Sequence, residues 1–88
     1  MTLVFLRPRA VAGLDKSPPK TRTLIESLID ELRGGKIPMH TKKLSGTKTG
    51  YRTRVGKWRV LFSFENKEID IVDIFLKKGP EDYRRRVM

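Results

Sequence analysis

Apolar residues recur every three to four positions between Pro18 and Arg33, which is the period of an amphipathic helix. The apolar stripe of this predicted helix consists of Leu24, Ile25, Leu28, Ile29 and Leu32. We expect Ser17 to cap the start of the helix and Gly34-Gly35 to end it. Because an apolar stripe needs a partner surface, we expect it to pack in a core against a sheet or a second helix.

Four shorter segments have the pattern of β-strands. Apolar and polar residues alternate from Tyr51 to Val55 and from Trp58 to Phe64. The segment from Ile69 to Phe75 is almost continuously apolar, which also predicts a strand. Leu3 to Leu6 is a short apolar run, and we expect it to form a strand that is buried on both faces.

The remaining segments complete the predicted layout. Residues 9–14 are expected to form one or two turns of helix that break near Gly13. Residues 36–49 are expected to form an irregular crossing segment, and a short C-terminal helix is expected after Gly79-Pro80. The order β-α-α-β-β-β predicts an α+β fold in which a small, largely antiparallel sheet carries two N-terminal helices on one face. A chain of 88 residues is too short for two cores, so we expect one domain over residues 1–88.

Gly56-Lys57 forms a two-residue loop between two alternating strands, and glycine in the first position favours a type II′ turn. This turn would place Val55 opposite Trp58 and Arg54 opposite Arg59. Residues on one face of the hairpin would then turn towards the helices: Tyr51, Thr53, Val55, Trp58, Val60, Phe62 and Phe64. The opposite face would carry three arginines: Arg52, Arg54 and Arg59.

Arginines directly opposite each other on a hairpin repel, so their presence calls for an explanation. One interpretation is a strand edge that charge keeps soluble. The other is a guanidinium cluster for phosphate, because arginine donates two parallel N–H bonds to phosphate oxygens and can stabilise developing negative charge. If Phe64 pairs with Ile69, Val72 and Ile74 would form an apolar floor beside these arginines. The same register would put Asp73 on the core face, unless the turn is offset or Asp73 finds an arginine partner.

The net charge of +10 supports the phosphate interpretation. Between Arg33 and Phe64 there are nine basic residues and no acidic one: Arg33, Lys36, Lys42, Lys43, Lys48, Arg52, Arg54, Lys57 and Arg59. A field of this strength attracts polyanions such as RNA or DNA. A basic face that only aids solubility is the alternative, but soluble surfaces usually mix their signs.

Several function classes are excluded or not expected. The chain has no cysteine, so disulfides, cysteine–zinc sites and thiol catalysis are excluded. No apolar run approaches the roughly 18 residues of a membrane span, and the N-terminus lacks the features of a signal peptide. We therefore expect a cytoplasmic protein without a metal, another cofactor or a membrane partner.

Two segments resemble the RelE/ParE superfamily of bacterial and archaeal toxins. The first is Leu44-Ser45-Gly46 followed by residues 50–62, with the letters GYRTRVGKWRVLF. It is similar to the family's leucine–glycine segment and its hairpin with two basic residues on the first strand and an arginine on the second. The second is the apolar run from Ile69 to Phe75, followed by a basic residue and Tyr83. Together the two segments and the element order extend the resemblance over most of the chain.

The resemblance implies a ribosome-dependent endoribonuclease that cleaves mRNA and is silenced by a cognate antitoxin. In such enzymes the RNA 2′-hydroxyl attacks the neighbouring phosphate and leaves a cyclic phosphate. The residues that match the family's catalytic positions are Arg52, Arg54, Arg59, Lys77 and Tyr83. The neighbouring lysines are expected to bind RNA phosphates: Lys42, Lys43, Lys48, Lys57 and Lys78.

The match is incomplete at two of these positions. Lys77 stands where the family usually has arginine, so a bidentate fork is lost, but a charge and a proton donor remain. Gly79-Pro80 shortly before Tyr83 would change the direction of that tyrosine. His40 is the one imidazole in the chain, and in the crossing segment we take it to be incidental.

Two other functions remain open. One is a ParE-like toxin that inhibits DNA gyrase by binding it, without catalysis. The other is a non-catalytic, basic nucleic-acid-binding module. The ParE-like toxins tend to lack the full set of basic residues and the late tyrosine, both of which this chain keeps.

Overall fold

The computed structural model describes residues 2–78, which form five strands and two helices. The elements are β1 Leu3–Leu6, α1 Pro8–Lys16, α2 Pro19–Arg33, β2 Thr41–Lys43, β3 Gly50–Val55, β4 Trp58–Glu65 and β5 Glu68–Leu76. The strands make one sheet in the order β1-β5-β4-β3-β2, in which only β1 and β5 are parallel. The predicted α+β fold is confirmed. The helix expected after Gly79-Pro80 lies outside the described residues.

The main core lies between the two helices and one face of the sheet, here called the helix face. Its buried members are Ala10, Ile25, Leu28, Ile29, Leu32, Val60, Phe62, Ile69, Ile71 and Ile74. Four of the five predicted stripe residues are therefore in the core. The prediction for Leu24 is wrong, because its side chain is 54% exposed. Leu24 lies about 100° round the helix from Ile25 and falls on the border of the stripe.

Helix α1 is longer than predicted and runs through Gly13 without a break. Gly13 is needed here for close packing, since a Cβ at this position would overlap the Ile74 carbonyl oxygen of β5. The glycine therefore lets the α1 backbone lie directly on the β5 backbone. No helix within residues 2–78 is long and apolar enough to cross a membrane.

Ser17 ends α1, so the prediction that it caps α2 is wrong. Its hydroxyl donates a hydrogen bond to the Leu14 carbonyl, and its backbone N–H donates to Gly13 and Leu14. Arg22 of α2 also closes this end, because its guanidinium donates to the Leu14 carbonyl at 3.1 Å and to the Asp15 carbonyl at 2.7 Å. A cation at a helix C-terminus stabilises the last carbonyl groups.

Strand β1 is an edge strand, and the prediction that both its faces are buried is wrong. Val4 and Leu6 pack against the core, whereas Leu3 and Phe5 are about half exposed on the opposite face. A continuous apolar run therefore does not distinguish an edge strand from a central one.

A short strand, β2, lies in the segment that was predicted to be irregular throughout. Thr41 pairs with Thr53 and Lys42 with Arg52. The two threonine hydroxyls are 2.9 Å apart, and the Thr41 hydroxyl also donates to Pro38. Because Thr53 is buried, this hydroxyl pair satisfies polar atoms that would otherwise be costly to bury.

A bulge between Leu61 and Phe62 changes the register of β4 against β5. Phe64 pairs with Ile69 as predicted, but Leu61 pairs with Asp73 because the extra residue of β5 lies between these pairs. The shift moves Ile74 to the helix face, so its predicted place in the apolar floor is wrong, and it takes Asp73 off the helix face. Asp73 does have an arginine partner: Arg9 lies 3.5 Å from its carboxylate.

Candidate functional site: a cationic pocket on the sheet

The β3–β4 hairpin has the predicted register. Gly56 has φ 59°, as the first position of a type II′ turn requires, and Lys57 is not among the residues with positive φ. Arg54 is paired with Arg59 and Arg52 with Leu61. The three arginines therefore share the face of the sheet opposite the helices, which we call the arginine face.

The arginine face contains a pocket of about 240 Å³, which we call the arginine pocket. Its lining residues are His40, Lys42, Arg52, Arg54, Arg59 and Lys77. Four of the five residues predicted to be catalytic meet here, together with one lysine predicted to bind phosphate. None of the described residues that line the pocket is acidic; they are five cations and one imidazole.

Arg59 is held in place by the hairpin turn itself. Its Nη1 donates to the carbonyl oxygens of Gly56 and Trp58, each at 2.9 Å. These bonds leave other N–H groups of the guanidinium available, since the side chain has five. The turn therefore sets both the strand register and the direction of one guanidinium.

Lys77 reaches the pocket because β5 extends alongside the hairpin turn. Its backbone N–H donates to the Lys57 carbonyl oxygen at 3.0 Å, one step beyond the end of β5. Lys77 therefore borders the pocket from the β4–β5 side. Tyr83, the fifth predicted catalytic residue, lies outside the described residues, and its role stays a prediction.

The lysines predicted to bind phosphate are spread over several surfaces. Lys42 is opposite Arg52 and lines the arginine pocket. Lys43 is opposite Tyr51 and so follows the helix side of β2. Lys48 lines a separate groove of about 680 Å³ near Arg7 and Asp70. Only Lys42 of this set joins the predicted catalytic residues in one pocket.

Two further lysines of the set lie near the hairpin end of the sheet. Lys57 is exposed in the β3–β4 turn. Lys78 lines a groove of about 430 Å³ between α1 and the end of β5. Neither lysine lines the arginine pocket, so their predicted role in phosphate binding stays a prediction.

The apolar floor beside the arginines is made partly by other residues than predicted. Phe75 pairs with Arg59, and both Phe75 and Leu61 are buried outside the main core cluster. Val72 lies towards the other end of the same face, in the groove with Ser63. Buried apolar groups beneath cations lower the local dielectric and strengthen each charge contact.

His40 is the pocket residue that sequence reasoning missed. Its ring Nδ1 lies 3.3 Å from a terminal guanidinium nitrogen of Arg54. The available signal was the pairing of Lys42 with Arg52, because antiparallel pairing two residues earlier brings position 40 next to position 54. That signal depends on recognising a three-residue strand, which has too few positions to show alternation.

A metal centre is not indicated by the described part of the chain. Within residues 2–78, no three side chains of histidine, cysteine, aspartate or glutamate come together. The side chains that do come together are hydrogen-bond donors with positive charge. Such a set can bind a phosphate and stabilise negative charge that develops on it.

The fold and the pocket together define a small, basic α+β protein with an arginine cluster on the sheet face opposite its helices. No family model and no curated protein matches the sequence. Solved structures do match. A chain of the RelB–RelE antitoxin–toxin complex from Methanococcus jannaschii has a TM-score of 0.79 and 23% identity, with 90% of this chain and 96% of that chain covered.

Two other solved structures are similar over nearly their full lengths. A chain of the archaeal RelE–RelB complex from Pyrococcus horikoshii has a TM-score of 0.74 and 26% identity, covering 85% of this chain and 93% of that one. The isolated RelE toxin of E. coli has a TM-score of 0.71 and 17% identity, covering 97% and 94%. The chain therefore has the fold of the RelE toxins, as the hairpin motif predicts.

Proposed function

We propose that this chain is the toxin of a toxin–antitoxin module and a ribosome-dependent endoribonuclease that cleaves mRNA. The observation that carries the proposal is the arginine pocket, which gathers Arg52, Arg54, Arg59 and Lys77 in a space of about 240 Å³. The pocket can take one phosphate group and the oxygens around it. The fold shared with RelE toxins supports the same function.

The proposed chemistry is attack of an RNA 2′-hydroxyl on the adjacent phosphate. Negative charge on the non-bridging oxygens grows as the new bond forms, and guanidinium groups stabilise it through paired N–H bonds. An arginine cluster is well suited to this task but cannot itself take up a proton. Alignment of the 2′-oxygen with phosphorus is therefore the other requirement, and the ribosome would provide it by holding the mRNA.

The proposed partners are mRNA, the ribosome and a cognate antitoxin, which places the proposed activity in the cytoplasm. Several of the similar structures are complexes of RelE with RelB. For this chain, a net charge of +10 favours an antitoxin that is acidic or that carries an amphipathic helix. Such a partner would neutralise the charge that attracts RNA.

Inducible expression tests this function directly. Growth arrest should follow induction, and mapping of mRNA 5′ ends should find new cleavage inside translated codons. Purified protein should cleave a defined mRNA when ribosomes are present and leave the same mRNA intact without them. The matched control is the triple variant Arg52→Ala/Arg54→Ala/Arg59→Ala, which keeps the helix face of the hairpin but removes the guanidinium groups.

Other outcomes would contradict the proposal. Growth arrest with signs of DNA damage and without mRNA cleavage would favour inhibition of DNA gyrase. RNA binding without growth arrest or cleavage would favour a non-catalytic nucleic-acid-binding module.

A further inference from the structure

His40 is positioned in the arginine pocket by its backbone as well as by its side chain. It lies in the turn before β2 with φ 65°, a conformation that histidine adopts more readily than most residues. Its carbonyl oxygen accepts the backbone N–H of Arg54 at 3.4 Å. This bond extends the pairing of β2 with β3 beyond Thr41, so the ring is held beside the arginines.

The contact with Arg54 determines where the His40 ring carries its proton. The ring Nδ1 lies 3.3 Å from Nη2 of Arg54. Because a guanidinium can only donate hydrogen bonds, Nδ1 accepts this bond and the neutral ring holds its proton on Nε2. The other side chains that line the pocket are cationic: Lys42, Arg52, Arg54, Arg59 and Lys77. Among the described residues that line the pocket, His40 thus supplies a side-chain lone pair beside five cationic donors.

His40 and Lys77 lie on opposite sides of the arginine cluster. His40 borders the pocket beyond β3, and Lys77 borders it from the end of β5. Strands β3 and β4, which carry Arg54 and Arg59, lie between them. In an in-line displacement at phosphorus, the attacking and leaving oxygens also lie on opposite sides. A phosphate held by the arginines would therefore have His40 on one side and the Lys77 ammonium on the other.

We propose that His40 is a catalytic residue that accepts the proton of the attacking 2′-hydroxyl, a role that rests on the proposed ribonuclease function. The RNA phosphate draws the Arg54 guanidinium away from the ring, because a bidentate pair with anionic phosphate oxygens is stronger than a single bond of 3.3 Å to a neutral ring nitrogen. The Nδ1 lone pair then faces the 2′-hydroxyl. Imidazole suits this step because it ordinarily exchanges its proton near neutral pH.

The bonds and protons of this step balance. The bond between O2′ and phosphorus forms while the bond between phosphorus and O5′ breaks. The proton of the 2′-hydroxyl passes to Nδ1 of His40, and the Lys77 ammonium gives a proton to the leaving O5′. The products are a 2′,3′-cyclic phosphate and a free 5′-hydroxyl, and His40 and Lys77 regain their starting states by proton exchange with water.

The test compares His40→Asn with the unchanged protein in ribosome-dependent cleavage of a defined mRNA. Asparagine tolerates positive φ and can accept a hydrogen bond from Arg54, but it does not exchange a proton near neutral pH. Since general acid–base catalysis contributes about 10²–10⁴-fold, we expect kcat to fall by at least about 100-fold with little change in KM.

Met39→Asn is the matched control, because Met39 lies in the same turn with an 82% exposed side chain. It should cleave at the rate of the unchanged protein. Cleavage by His40→Asn within about threefold of the unchanged rate, or a loss confined to KM, would overturn the role of His40 and leave the ribonuclease function standing. Failure of the unchanged protein to cleave mRNA on ribosomes would overturn both.

Discussion

At the scale of single residues, Arg59 is held by two hydrogen bonds to backbone carbonyl groups of its own hairpin. Both carbonyl groups that accept bonds from its Nη1 belong to the turn or to the start of β4. A guanidinium that is fixed before RNA arrives loses less side-chain entropy on binding than a mobile one. It also keeps its charge directed at the position where negative charge develops.

We therefore expect Arg59→Ala to lower the kcat of ribosome-dependent cleavage by about 10²–10³-fold. Arg59→Lys keeps the charge but loses the planar fork, so its activity should lie between those of the alanine variant and the unchanged protein. Thermal unfolding should show the same Tm for all three, because the guanidinium lies outside the main core. Arg33→Ala is the control, since Arg33 pairs with Asp30 on α2, away from the pocket. Equal cleavage by Arg59→Ala and Arg33→Ala would contradict the assignment of Arg59.

The pocket residues differ in how far the sequence predicts them. Arg52, Arg54 and Arg59 were predictable because a two-residue turn fixes every pair in the hairpin. His40 was not, because its position depends on pairing with a strand of only three residues. Lys77 was predicted from the family motif, and its approach to the Lys57 carbonyl is a contact between distant positions that no local pattern encodes.

At the scale of elements, the contact between α1 and β5 depends on Gly13. The added methyl group of Gly13→Ala would overlap the Ile74 carbonyl oxygen, and neither backbone can move without disturbing the core. We expect the free energy of unfolding to fall by about 2–3 kcal/mol, as for overpacked cores. Urea unfolding followed by circular dichroism measures this change.

Gly34→Ala provides the control for that substitution. Gly34 ends α2 with φ −78°, and the nearest atom to an added Cβ is the Glu31 carbonyl oxygen at 3.4 Å. The same methyl group should therefore change the free energy of unfolding by less than about 1 kcal/mol. Equal losses of unfolding free energy in the two variants would contradict a specific contribution of the tight packing of α1 on β5.

Whether a segment forms a helix or a strand was easier to predict than which of its residues face the core. The alternating strands of the hairpin placed every residue on its correct face, because alternation marks the register. Strand β5 has apolar residues on both faces, so its pattern does not reveal that Val72 is an extra residue between the partners of Leu61 and Phe62. The prediction that α1 breaks near Gly13 was wrong for a related reason. In the sequence, glycine is a poor helix former. The close approach of α1 to β5, which requires a glycine, appears only in three dimensions.

At the scale of the whole molecule, charge is divided between two regions. Three aspartates form ion pairs with arginines that lie outside the pocket: Asp30 with Arg33, Asp70 with Arg7 and Asp73 with Arg9. The bond to Asp70 raises the pKa of the Arg7 guanidinium. The acid-free stretch from residue 33 to residue 64 supplies all pocket residues except Lys77. Positive charge is therefore concentrated in the part of the chain that forms the arginine pocket.

This division predicts how salt weakens RNA binding. A short single-stranded RNA labelled with a fluorophore should bind with a slope of log K against log salt of about −2 to −3, since each phosphate contact contributes about −0.7. Fluorescence anisotropy over a series of KCl concentrations measures the slope. Lys42→Ala removes a pocket cation and should make the slope less steep by about 0.7.

Lys36→Ala removes the same charge from an exposed residue that does not line the pocket. If binding depends on contacts inside the arginine pocket, Lys36→Ala should keep the slope of the unchanged protein. If only the total charge of the molecule matters, both variants should lower the affinity equally and leave similar slopes. The difference between these two slopes therefore separates a phosphate site on the sheet from a diffuse attraction to a basic protein, without relying on the ribosome or on cleavage.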